Sequence, residues 1–160
     1  IENMDMKLFY GDAICVDLRH IRYPSYIEIS DIQEALEKSG LEIKKGDIFL
    51  MYTGHYERTY PDNGYGGIAA RHSGISYAAA KWLAEQGVVN IGVDSPAIDL
   101  TPDDLDYSGH LVCGQFGITN TENLCNLDKV AGKRFVYMGL PLRIRGGSGS
   151  PIRAVALVEG

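Results

Sequence analysis

Cysteine is scarce in this chain: there are three in 160 residues, Cys15, Cys113 and Cys125, with no CxxC spacing. A set that is odd in number and scattered excludes a disulfide framework and a structural zinc cluster. Each cysteine has apolar neighbours, so all three are expected to be buried, reduced thiols, and a reducing cytoplasm suits them. Long apolar runs are missing as well. None approaches the roughly 20 residues that a membrane span requires, and the opening IENMDMKLFYG is acidic where a secretory signal would be apolar. Positive charge is in short supply: 15 Lys and Arg against 21 Asp and Glu give a formal net charge of −6. Nucleic acid and anionic membrane both demand a basic patch, so neither is the expected partner. Phosphate-binding glycine motifs are absent in any usable context. GYGGIA is not placed between a strand and a helix, and GGSGS has neither the Lys-Ser/Thr of a phosphate loop nor the pattern of a nucleophile elbow. Both stretches read as turns.

What is present is an ordinary globular composition, 45% hydrophobic and 22% charged, enough for a core in one domain spanning residues 1–160. The chain begins at Ile1 and not at Met, so a processed, trimmed or otherwise incomplete polypeptide is expected.

The pattern alternates strands and helices. AICVDL (13–18) is a short run of strand formers. EISDIQEALEKSG carries helix grammar, with Ser30 as N-cap, Gln33 three residues on and Gly40 as the stop. GDIFLMYTG (46–54) reads as a buried strand. Residues 55–75 are dense in Gly, Tyr and charge and read as a long loop of the kind that often carries function. Ser76 caps a second helix that Gly87 ends. VVNIGVD follows as an inner strand, since it is apolar almost throughout. Thr101 and Pro102 fit an N-cap and first helical position. A short helix around His110–Gln115 and a strand in GITNTENL would bring Glu122 beside that helix. RFVYMGLPLRI and PIRAVALVE close the chain as two strands around GGSGS, with Lys133, Arg134, Arg143 and Arg145 on strand faces. This order gives a mixed α/β domain.

Four histidines are available for chemistry. His20 reads as a surface or locally bonded residue. His55 and His72 share the 55–75 loop with Arg71, and the three are candidates for contact with a small-molecule substrate, against the plainer reading that they are solvated loop residues. His110 and Glu122 can both ligate a metal. By spacing alone they are either half of a metal site or two unrelated polar residues, because catalytic zinc takes three protein ligands plus water. Arg153, next to Pro151, reads as an anchor for the final turn.

Taken in order, GDAICVDL, KKGDIFLMYTG, SGISYAAAKWLAEQGVVNIGVDSPAID, GHLVCGQFGITNTENLCNLD and LPLRIRGGSGSPIRAVAL resemble the cyclase-like metal-dependent hydrolases, the family of bacterial kynurenine formamidase and isatin hydrolase. The resemblance runs from about residue 8 to residue 159. It implies a swivelling β/β/α single domain, a mixed sheet with flanking helices, and homo-oligomers with active sites near subunit contacts. It also implies a metal site assembled from two places: an N-terminal HxxxHxD followed by a histidine that acts as base, and a later His and Glu. GHLVCGQFGITNTENL matches the later segment without a gap, which makes His110 and Glu122 the expected metal ligands. No HxxxHxD occurs in these 160 residues, so no catalytic base is assigned within the chain. The first half of the site was cleaved off, or sits on a companion N-terminal fragment, or does not exist here. With it, Zn²⁺ or Mn²⁺ would serve hydrolysis of a small amide, formamide or lactam. Without it, the chain would be a non-catalytic binding or scaffold relative that keeps the fold.

Overall fold

A computed structural model describes residues 1–63, 71–100 and 107–158. Strand β1 (Tyr10–Asp17) opens the main sheet and is followed by the short β2 (Tyr26–Ile27), helix α1 (Ile29–Ser39) and strand β3 (Ile48–Tyr52). Helix α2 (His55–Asn63), strand β4 (Gly74–Ile75), helix α3 (Tyr77–Glu85) and strand β5 (Asn90–Val93) come next. Helix α4 (Ser108–Phe116), β6 (Thr119–Thr121), β7 (Lys133–Met138) and β8 (Val155–Leu157) complete the chain. The main sheet has the order β6-β5-β3-β1-β7-β8, and β2 pairs with β4 in a separate two-stranded sheet. Strands β1, β3, β5 and β6 run parallel, while β7 and β8 are each antiparallel to their neighbour. The expected mixed α/β architecture is therefore the observed one.

Alternate residues of the inner strands feed two cores. Ile14, Val16, Phe49, Met51, Ile91 and Val93 meet the helices on one face. Ala13, Cys15, Ile48, Leu50 and Tyr52 meet Leu124, Leu127, Phe135 and Tyr137 on the other. Burial on both faces explains why these strands read as continuous apolar runs with no alternation. Strand β5 lies between β3 and β6, inside the sheet as expected. On β7, Arg134 makes a bidentate pair with the buried Asp47, at 2.8 and 2.9 Å.

Four local expectations need correction. Helix α1 starts two residues earlier than the Ser30 cap allows. Glu28 is the cap, its N–H donating to Asp31 Oδ2 at 2.8 Å, and the Ser76 hydroxyl donates to Glu28 Oε2 at 2.7 Å. The helices α1 and α3 thus start side by side from the β2–β4 pair, an arrangement that rests on tertiary contact. The 55–75 stretch is not all loop, because α2 occupies its first part. Tyr56 and Tyr60, four residues apart, stack with ring centroids 4.6 Å apart, and Thr59 Oγ1 donates to the His55 carbonyl. The GYGGIA motif, and Thr101 with Pro102, lie outside the described residues. Arg143 and Arg145 fall in an irregular, exposed segment and not on a strand. Pro141 and Pro151 lack the N–H a ladder needs, so pairing stops at Met138 and resumes only at Val155. Finally, Cys15 and Cys113 are buried but Cys125 is exposed, since its neighbours Leu124 and Leu127 take the core positions.

Gly74 lets two backbone segments close in on each other: a Cβ there would collide with the backbone of Asp99 and Leu100. Gly114, on the exposed side of α4, has open space around it. Gly74→Ala should therefore destabilise the fold by about 1–3 kcal/mol, whereas Gly114→Ala should stabilise it by roughly 0.5–1 kcal/mol. Urea unfolding of the two variants checks this, and equal effects would contradict it.

Candidate functional site

The parallel strands β5 and β6 end side by side, and the chain beyond them supplies Asp99 and Glu122. The carboxyl edge of a parallel sheet is where α/β folds gather ligands. Asp99 is buried, its side chain 1% exposed. One of its oxygens accepts from the N–H groups of Gly109 and His110, at 2.7 and 3.2 Å, and the other meets His110 Nδ1. The start of α4 has no side-chain cap of its own, since Tyr107 in the cap position makes none. Asp99 therefore satisfies orphan N–H groups of the helix and orients its histidine at once. A carboxylate can only accept, so His110 Nδ1 carries the proton, and in neutral His110 the lone pair lies on Nε2.

That nitrogen is 3.5 Å from Glu122 Oε1. Glu122 is held by the Ile98 N–H at 3.2 Å and by the Asn120 amide at 2.9 Å, both on Oε1. Its other oxygen has no hydrogen bond among the described residues. The structure thus brings His110 and Glu122 together as the sequence reading expected. The Asp99 carboxylate holds the His110 imidazole above its ordinary pKa, against burial. Burial raises the Glu122 carboxyl, opposed by the His110 charge and the Ile98 N–H. Burial likewise pushes the Cys113 thiol, one turn along α4, up to about 12, so it is an inert core thiol.

His110 and Glu122 stand on the wall of a cavity of about 920 Å³, shared with Phe9, Ile118, Leu124 and the 148–154 segment. The donor set, one imidazole nitrogen and one carboxylate, suits Zn²⁺ or Mn²⁺ in type. It supplies two protein ligands where three are usual, and among the described residues no group of three or more His, Cys, Asp or Glu is placed to hold a metal.

Arg71, His72 and His55 do not line this cavity. His55 and His72 are buried at the start of α2 and just before β4, with ring centroids 5.5 Å apart and edge to face. His55 Nδ1 is 2.8 Å from Tyr23 Oη, whose hydroxyl donates to the Arg71 carbonyl. His72 Nδ1 faces the Ser73 carbonyl at 3.2 Å, while its buried Nε2 has no partner. Fixed acceptors thus keep the proton on Nδ1 of both rings. Burial, helped by His72, lowers His55 from the ordinary 6.5 to about 4, and burial lowers His72 as well. Asp99 was missed as a site residue in the sequence. The one available signal was a carboxylate inside the apolar IGVDSPAID, and nothing in the spacing ties it to a histidine eleven residues later.

Known proteins resemble this chain both in sequence and in fold. Residues 1–100 match the family model described as "Putative cyclase". The chain belongs to this cyclase family. A kynurenine formamidase from Bacillus cereus is 40% identical over 155 residues, covering 96% of this chain and 65% of that protein. This member of the cyclase family thus spans just under two thirds of that relative's length. Isatin hydrolase A from Ralstonia solanacearum superposes with a TM-score of 0.83 at 25% identity, over 99% of this chain and 64% of that one. A structure described as a potential metal-dependent hydrolase with cyclase activity superposes with a TM-score of 0.69 at 21% identity, over 98% and 69% of the two chains, and speaks for the fold alone.

The buried histidine pair gives a pH prediction. An unfolded His55 would bind a proton below about 6.5, but the folded one stays neutral to about 4. The stabilisation is complete above the unfolded value and lost as pH falls from there to the folded one. By NMR, the His55 ring protons should not titrate until pH nears 4, and unfolding free energy should decline across that window. A midpoint near 6.5 in the folded protein would contradict the assignment.

Proposed function

We propose that the polypeptide to which these residues belong is a metal-dependent hydrolase that cleaves a small amide, formamide or lactam with metal-activated water, and that His110 and Glu122 are two of its metal ligands. One observation carries this reading: His110 Nε2, its lone pair set by Asp99, lies 3.5 Å from Glu122 at a cavity wall. The names of the relatives supply the reaction class, kynurenine formamidase and isatin hydrolase. The remaining ligands would come from outside these 160 residues, which contain no HxxxHxD.

When bound, Zn²⁺ or Mn²⁺ would supply Lewis acidity, polarising the scissile carbonyl and acidifying water. The chain's own residues do the positioning. Asp99 fixes the imidazole plane and keeps the Nδ1 proton, the arrangement found behind metal-ligating histidines. Asn120 and the Ile98 N–H hold one oxygen of Glu122 and leave the other for the metal. Phe9, Ile118 and Leu124 give the cavity an apolar side that can take the body of a small-molecule substrate and exclude water from it.

In the complete polypeptide, His110→Ala and Glu122→Ala should each lower metal occupancy and formanilide hydrolysis roughly tenfold or more. Metal analysis and initial rates measure both. Unchanged occupancy and rate in both variants would remove the pair from the site. Metal-loaded wild-type protein without any hydrolysis would support a binding relative that keeps the fold.

A further inference from the structure

The buried His55–His72 pair takes no part in that chemistry, yet its surroundings lead to Asp99. His72 is fully buried, and its Nε2 has no hydrogen-bond partner among the described residues. A neutral imidazole leaves a bare lone pair there. An imidazolium would leave a charged N–H donor without an acceptor, which is far less favourable. The His55 ring, its centroid 5.5 Å away, would add a second positive charge. The other groups facing the pair are Tyr23 from the β1–β2 connection, Arg58 from α2, and Asp94 and Asp99 from the chain after β5. Burial outweighs the attraction of the two carboxylates, so the folded protein keeps both rings neutral.

Strand β4 begins two residues after His72 and braces the site. The Ile75 N–H donates to the Ile98 carbonyl at 2.8 Å, and the Ser108 hydroxyl of α4 donates to the Ile75 carbonyl at 2.7 Å. Gly74 lies so close to the backbone of Asp99 and Leu100 that no side chain fits between them. Ile98 in turn donates its N–H to Glu122, and Asp99 caps α4 and holds His110. One short strand therefore supports both side chains of the site.

We propose that His55 and His72 form an acid-sensitive latch on β4, whose protonation releases residues 72–75 and with them the Asp99 contacts that orient His110. Its effect on a metal rests on the reading of His110 and Glu122 as ligands, whereas the opening itself does not. The closed form excludes protons, while in the opened form each histidine takes one below about 6.5. Falling pH thus favours opening, by up to about tenfold per pH unit for each histidine. Coupling runs through a continuous set of contacts, from β4 to Ile98 and Asp99 and on to the imidazole and carboxylate. His72 is a positioning residue in this arrangement and touches no reacting atom.

Amide hydrogen exchange in the complete polypeptide without added metal, followed from about pH 7 down to about pH 4.5 and corrected for intrinsic rates, measures the latch. The Ile75 and Gly109 amides should exchange faster than those of the inner strand β3 at every pH. Below about pH 6 they should lose protection together, by roughly tenfold or more per pH unit. Protection at Ile75 equal to that of β3 means that only global unfolding frees it, and overturns the latch. A flat response at Gly109 beside a steep one at Ile75 overturns the link to Asp99. His72→Asn retains a group that can donate to the Ser73 carbonyl but takes no proton. It should remove about half of the Ile75 slope, and His55→Asn added to it should remove most of the rest. A steep slope that survives both substitutions removes the two rings from the account. The wild-type comparison decides even where a variant fails to fold. In the same polypeptide, calorimetric Mn²⁺ affinity should fall more steeply below about pH 6 in the wild type than in the double variant. Exchange as expected, with Mn²⁺ affinity indifferent to His110→Ala, supports the latch and sinks the ligand reading alone. Affinity that requires His110 but falls equally steeply with and without the two histidines overturns control of the site.

Discussion

The carboxylate of Asp99 is the contact on which the rest of the site depends. It sits in the core at the end of the β5 segment, where a polar group without partners would cost several kcal/mol. Three partners come from α4: two backbone N–H groups and His110 Nδ1. One side chain therefore docks the helix, supplies the cap its sequence lacks, and determines which imidazole nitrogen is free. Glycine makes the approach possible. A Cβ at Gly74 would strike the backbone at 99–100, and one at Gly109 would meet Ile98 at 2.5 Å and Asp99 Oδ1 at 3.1 Å. Sterics and electrostatics converge on the same residue.

From that contact the functional geometry follows along the sheet edge. Strand β6 pairs in parallel with β5, so the residue after its last rung, Glu122, emerges beside the helix that Asp99 has docked. The imidazole and the carboxylate meet because the register and the cap both hold. The chain between β7 and β8 is irregular for a simple reason: prolines at 141 and 151 interrupt the ladder, and N–H groups such as those of Gly139, Leu142 and Gly147 donate to loop acceptors in place of a neighbouring strand.

Much of this was legible in the residues. Continuous apolar runs marked β1, β3 and β5, since strands buried on both faces cannot alternate. Ser76 and Gly87 bracketed α3, and the pattern around His110 and Glu122 placed a short helix and strand where both are found. What escaped was tertiary in origin. Glu28 displaced Ser30 as the cap of α1 because it also receives the Ser76 hydroxyl. Helix α2 hid in a stretch whose density in Gly, Tyr and charge read as loop, and its Tyr56–Tyr60 stack is a contact that only the structure shows. Asp99 could not be linked to His110 by any local rule.

The central claim is that His110 and Glu122 bind one metal together. Crystals of the complete polypeptide grown with Mn²⁺ or Zn²⁺, measured at the metal's absorption edge, address it most directly. The account predicts an anomalous peak about 2.0–2.2 Å from both His110 Nε2 and an oxygen of Glu122, with the Asp99–Nδ1 contact intact. A fully occupied metal elsewhere, with His110 and Glu122 still paired only to each other and to Asp99 and Asn120, would contradict it.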